Sequence, residues 1–124
     1  MHIVLADREA ELMEVLWDHG PSTVAEVRDR VPDDLAYTTV LTMLRTLEAK
    51  GYVTHDTEGK AHRYSAVIER DAARRSALRA MSEKFFKGST ATLLTHFVAQ
   101  ERLTDTDVQR LRKLLAQRAR RARS

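Results

Sequence analysis

Between Asp34 and Gly51 the chain reads DLAYTTVLTMLRTLEAKG, and no other stretch limits the fold so tightly. At 100° per residue Val40, Leu44 and Leu47 share one stripe, with Tyr37 and Met43 at its edges. Opposite them stand Thr38, Thr42, Arg45 and Ala49, flanked by Thr39 and Thr46. An ordinary solvated helix face mixes Glu and Lys. This one is small, hydroxyl-rich and nearly free of carboxylates, so it can approach DNA closely. By itself a threonine-rich amphipathic helix is as readily a plain surface helix, but the residues after it shift the balance. Gly51 is a natural helix stop, and Tyr52-Val53-Thr54-His55-Asp56 and Ala61-His62-Arg63-Tyr64-Ser65-Ala66 read as two short strands around Glu58-Gly59-Lys60. Helix, stop and hairpin predict a winged helix.

The preceding residues supply the rest of that arrangement. Asp7 can cap a helix running to His19, with Ala10, Met13, Val15, Leu16 and Trp17 on a wide apolar face, and Gly20-Pro21 ends it. Thr23-Val24-Ala25-Glu26 has the pattern of a capping box, opening a short helix through Arg30 that Pro32 closes. Helix, turn, helix, loop, helix and hairpin are the order a winged helix-turn-helix requires, here over residues 1–68.

From Asp71 the composition turns to helix formers. Ala72, Ala73, Ala77, Leu78, Met81, Phe85 and Phe86 stud one helix before Gly88; Ser89 or Thr90 opens a second with Leu93, Leu94, Phe97 and Val98 inward. Thr104-Asp105-Thr106-Asp107 caps a third, with Val108, Leu111, Leu114 and Leu115 along its core side. Three helices in about fifty residues bury too little apolar surface to stand alone. Met81, Phe85, Leu94, Phe97, Val98, Leu111 and Leu115 are therefore expected to pack against a second copy, the alternative being that the tail folds back on the winged domain. The expected fold is mainly α with a small β-hairpin: a winged helix-turn-helix, then a three-helix dimerisation tail over residues 69–124.

Composition removes whole classes of function. The 124 residues contain no cysteine, which excludes disulfides, thiolate nucleophiles and cysteine-based metal sites. The five histidines form no His-x-x-x-His or His-Glu-x-x-His pair, so no metal site is expected, and only His55 and His62, on facing strands, warrant a check. No glycine-rich phosphate loop appears, nor a Ser/His/Asp set that spacing singles out; the chain is read as a non-enzyme without a cofactor. No apolar run approaches the length of a membrane span and the first residues do not resemble a signal peptide, which predicts a cytoplasmic protein without membrane insertion.

The net charge of +3 conceals an asymmetry. Residues 1–70 carry eight Lys and Arg against thirteen Asp and Glu, whereas residues 71–124 carry thirteen against five. The presumed DNA-reading half is thus formally acidic, although phosphate neutralisation supplies most non-specific affinity. Its acids concentrate in the first helix and around residues 26–34, while residues 35–64 carry Arg45, Lys50, Lys60 and Arg63 against Glu48, Asp56 and Glu58.

Among the candidate readers, Arg45 is the strongest, because its planar fork can donate to both acceptors of a guanine edge. Thr38, Thr39, Thr42 and Thr46 can hydrogen-bond phosphates or bases and set their methyls against thymine methyls. Lys60 at the hairpin turn and Arg63 on the returning strand would touch sugar-phosphate or enter the minor groove. The basic run Arg118 to Arg123 reads either as a solvated helix end or as an extra phosphate contact. A competing function is a protein-docking module that uses the acidic 26–34 surface and not DNA.

Taken together these residues resemble the penicillinase-repressor family, the BlaI/MecI type of bacterial transcriptional repressor, over nearly the whole chain. The anchors are Glu9-Ala10-Glu11-Leu12-Met13-Glu14-Val15-Leu16-Trp17, then Leu35-Ala36-Tyr37-Thr38-Thr39-Val40 with Leu44, Leu47 and Lys50-Gly51, and His62-Arg63-Tyr64. The resemblance implies a homodimer that holds two winged domains over an inverted-repeat operator in double-stranded DNA and blocks transcription. It also implies relief through a membrane metalloprotease receptor whose activation leads to cleavage in the dimerisation region. The family's scissile Asn-Phe pair aligns with His96-Phe97, so the Phe is kept and the residue before it is not. A copper-responsive branch carries a cysteine-rich tail, which this chain lacks.

Overall fold

The first helix, α1 (Asp7–His19), starts from Ala6 and not from an Asp7 cap: Ala6 has extended backbone, and its N–H donates to Glu9 Oε1 at 2.9 Å. This and the other elements belong to a computed structural model that describes residues 2–123. After Gly20 a two-residue strand, β1 (Ser22–Thr23), leads into α2 (Val24–Arg30). The expected capping box is present there, with Glu26 N–H donating to Thr23 Oγ1 at 3.2 Å and Thr23 N–H donating to Glu26 Oε1 at 3.0 Å. The third helix, α3 (Tyr37–Ala49), is followed by the hairpin strands β2 (Val53–Glu58) and β3 (Ala61–Ala66).

The sheet has the order β1-β3-β2 and is antiparallel throughout. Sequence periodicity located the hairpin but missed β1, since two residues cannot display an alternation. Register pairs Ser22 with Tyr64 and Thr23 with Arg63, so β1 ties the wing to the start of α2. Glu58 faces Ala61 across a two-residue turn in which Gly59 has φ +64. Glycine in that first turn position matches the twist of the flanking strands, which most other residues could do only with strain.

The chain divides into two compact units, Met1–Ala80 and Met81–Ser124. In the first, Leu12, Met13, Val27, Val40, Leu44 and Leu47 lose all solvent exposure around a nearly buried Tyr64. Helix α4 (Arg70–Phe85) contributes its opening turns to this unit, with Ala72 and Ala73 packed on the core. Ser76 closes it: Ile3 N–H donates to Ser76 Oγ at 2.8 Å, and the hydroxyl donates back to Ile3 O at 3.2 Å. Trp17, half-buried on α1, donates its indole N–H to Ile68 O at 2.9 Å.

The second unit holds the end of α4, then α5 (Thr90–Gln100) and α6 (Asp105–Arg123). Ser89 caps α5, and Thr104 and Asp107 cap α6 reciprocally. Its apolar face is mostly uncovered. Among the described residues of this unit only Leu93 is a buried hydrophobic; Leu94, Phe97 and Val98, expected inward, are exposed, as are Met81, Phe85, Leu114 and Leu115. Leu111 is half-buried. No helix among the described residues is long and apolar enough to cross a membrane.

Candidate nucleic-acid interface

The two faces of α3 separate as their periodicity predicts. Val40, Leu44 and Leu47 are fully buried, and Thr38, Thr39, Thr42, Arg45, Thr46 and Ala49 are all exposed. Apolar burial on one face thus fixes the helix while leaving the other unobstructed. Thr42 donates its hydroxyl proton to Thr38 O at 2.9 Å, and Thr46 donates to Thr42 O at 3.0 Å. With those protons committed to the helix backbone, the outward oxygens present lone pairs. That chemistry suits the exocyclic amines of adenine or cytosine in a major groove.

Arg45 projects from the same face and lies beside Tyr64 of the wing. Burial pushes the Tyr64 hydroxyl above its ordinary pKa, nearby Glu48 adds to the rise, and the Arg45 guanidinium opposes it. Glu48 also receives His55: Nδ1 lies 2.7 and 2.8 Å from its two carboxylate oxygens. The His55 ring stacks on His62 at 4.7 Å between centroids. Glu48, His55, His62 and Tyr64 therefore connect the C-terminal half of α3 to the wing. His55 and His62, the one histidine pair the sequence left open, stack their rings on facing strands, and no group of three or more His, Asp or Glu among the described residues is placed to hold an ion.

Two of the four cations between residues 35 and 64 are engaged within the protein. Lys50 Nζ sits 2.9 Å from both oxygens of Glu9, pinning the C-terminal end of α3 to the start of α1. Burial raises the Glu9 carboxyl's pKa, but the Ala6 N–H and Lys50 outweigh it and hold the group below its ordinary carboxylate range. Arg63 reaches Glu58 at 3.0 Å, Pro21 O at 3.1 Å and Glu26 at 3.3 Å, bracing the hairpin against α2. The Thr23 N–H and hydroxyl, followed by Arg63 and Arg30, keep Glu26 below its usual carboxylate range. Lys60, in contrast, stands exposed at the hairpin turn. The structure thus groups Thr38, Thr39, Thr42, Arg45 and Thr46 on one accessible face, gives Lys60 to the wing tip, and assigns Arg63 a bracing position. The bracing pairs were invisible in the sequence because their partners lie 37 and 41 residues apart.

Comparison with known proteins is consistent with this geometry. The sequence profile of the penicillinase repressor family matches residues 5–117. The transcriptional regulator BlaI of Mycobacterium tuberculosis is 36% identical over 117 residues, spanning 91% of this chain and 83% of that protein. The solution structure of the Bacillus licheniformis BlaI monomeric form in complex with the blaP half-operator matches with a TM-score of 0.50 and 29% identity, over 57% of this chain and 89% of the other. A MarR family protein from Bacillus stearothermophilus, at 16% identity, shares the fold with a TM-score of 0.52 over 98% of this chain and 78% of its own.

Proposed function

This chain belongs to the penicillinase repressor family, whose members are transcriptional regulators and not enzymes, and on that premise we propose that it is a dimeric repressor reading an inverted-repeat operator through α3. The observation that carries the reading is the exposed face of four threonines and Arg45 on a helix whose opposite stripe, Val40, Leu44 and Leu47, is fully buried. Such a helix is rigidly seated and offers hydrogen-bonding groups with little bulk. Arg45 reads a guanine edge, the threonines discriminate among neighbouring bases, and Lys60 holds a phosphate at the wing.

Arg45→Ala will weaken binding to an operator selected from a randomised duplex pool by about 1–3 kcal/mol and relax the preference at one base pair of each half-site. Lys60→Ala will weaken all sequences alike. Unchanged affinity for Arg45→Ala in a titration at fixed salt overturns the assignment of α3. The competing docking module relies on the acidic 26–34 surface, yet Glu26 there is engaged by Arg63 and Arg30, and Asp33 by Arg8.

Dimerisation is assigned to the second unit, where Met81, Phe85, Leu94, Phe97, Val98, Leu111 and Leu115 supply apolar surface with little cover of its own. Patches of this kind mark association sites. Repression is relieved by cleavage between His96 and Phe97, initiated by a membrane metalloprotease receptor. Both residues are exposed on α5, and a cut there divides the helix between Leu93 and Val98. Neither piece could then bury the face that pairs two copies. Immunoblots of induced cells will show an N-terminal fragment ending at residue 96; full-length protein persisting through complete derepression rejects cleavage.

A further inference from the structure

DNA binding requires positive charge, and the winged unit has little to offer. Residues 1–80 hold eleven Lys and Arg against fourteen Asp and Glu, and Lys50, Arg63, Arg8 and Arg70 are paired with carboxylates inside that unit. Residues 81–124 hold ten against four, and seven of the ten lie between Val108 and Arg123, where there is no acid at all.

On α6 most of these charges are sorted, Arg118 alone falling on the apolar side between Leu114 and Leu111. At 100° per residue Arg110, Arg112, Lys113, Arg121 and Arg123 occupy about half the circumference, with Val108, Leu111, Leu114 and Leu115 on the other half. All five cations are exposed, and none forms an ion pair among the described residues, although the field of Arg110 reaches Asp107. Stabilisation of the helix dipole accounts for basic residues in the last turn only, because that effect fades beyond one turn. It gives no reason for Arg110, Arg112 and Lys113. Arg110 and Lys113, three residues apart, also repel each other, which weakens the helix unless an anionic partner lies beside them.

We propose that the basic face of α6 is a second, sequence-independent contact with the phosphate backbone of duplex DNA. The inference rests on the repressor reading. Within it, α3 supplies discrimination between sequences and α6 supplies much of the electrostatic affinity that an acidic winged unit cannot. The charge complementarity is with a polyanion of regular spacing, along a helix long enough to track several phosphates.

The test uses the full chain with Arg112, Lys113, Arg121 and Arg123 all changed to Gln, a good helix former without charge. Affinity for a random duplex is titrated across about 50–200 mM salt, with helix content and sedimentation checked in parallel. The slope of log affinity against log salt is expected to flatten by about 0.9 for each phosphate that the variant no longer neutralises, with the base preferences of α3 unchanged. If the fourfold variant unfolds, Arg121→Gln with Arg123→Gln, confined to the last turn, gives the same reading at smaller amplitude.

A steep slope in the unsubstituted protein that persists in the folded variants overturns this inference and leaves the repressor reading intact. No salt-dependent duplex binding by the unsubstituted protein removes the repressor reading itself, and this inference with it. Tighter binding to phosphatidylserine-containing vesicles than to duplex, abolished in the same variants, assigns the face to a membrane surface and overturns the proposal.

Discussion

A protein ending at residue 80 will fold and stay monomeric, and it will bind an inverted-repeat operator about 10²–10⁴-fold more weakly than the full chain. Folding is expected because the core around Leu12, Met13, Leu44, Leu47 and Tyr64 lies wholly within this unit. The cut must spare the opening turns of α4. Ending at residue 70 would remove Ala72 and Ala73 from the core and strip Ile3 of both hydrogen bonds to Ser76. The affinity loss has two sources: in a dimer, engagement of one half-site makes the second encounter intramolecular, a gain a monomer forfeits, and the shortened protein also lacks the phosphate contacts proposed for α6. Sedimentation and operator titration at fixed salt decide it. Dimers of the shortened protein, or full operator affinity from a monomer, would remove the second unit from the dimerisation role.

Leu44→Ala carries the next largest effect, an expected loss of about 2–5 kcal/mol in stability. Leu44 has no exposed surface and lies midway along the buried stripe of α3, between Val40 and Leu47. Truncation leaves a cavity that the surrounding side chains fill only in part. For a unit of this size each kcal/mol lowers the unfolding midpoint by about 4–8 °C, so the shift is easily measured by thermal or denaturant unfolding. Leu44→Met, which nearly conserves volume, should cost less than about 1.5 kcal/mol. Equal destabilisation by the two variants would mean that Leu44 is not in a close-packed site. Operator affinity should fall for Leu44→Ala even below its midpoint, because the exposed threonines and Arg45 share this helix and are held in register by its buried side.

Helix faces were readable wherever one face of a helix meets its own unit's core. Val40, Leu44 and Leu47 went in and the threonines stayed out, as a 3.6-residue repeat requires. On α5 the same reasoning selected Leu93, Leu94, Phe97 and Val98 as inward, yet only Leu93 is covered within the chain. Periodicity identifies an apolar face but says nothing of what covers it. Arg63 illustrates a second limit: its place on the returning strand of the hairpin was legible, whereas its bonds to Glu26 and Pro21 O depend on β1 drawing that strand against α2.

What the sequence determined by itself was local. Thr23 with Glu26, Thr104 with Asp107, Gly51 after Lys50 and the turn at Gly59 each act through atoms a few residues apart, so their spacing alone specifies a cap, a stop or a bend. Tertiary structure alone decided which charges remain available. Lys50 and Arg63 look equivalent to Lys60 in a list of cations, but Glu9 and Glu26 are brought to the first two by helices and a strand distant in sequence. The same folding joined Ser76 to Ile3 and extended the first unit to Ala80. Whether a guanidinium or ammonium group can meet a phosphate depends on the carboxylates within a few ångströms of it. That distance is set by how the elements pack, and no local pattern encodes it.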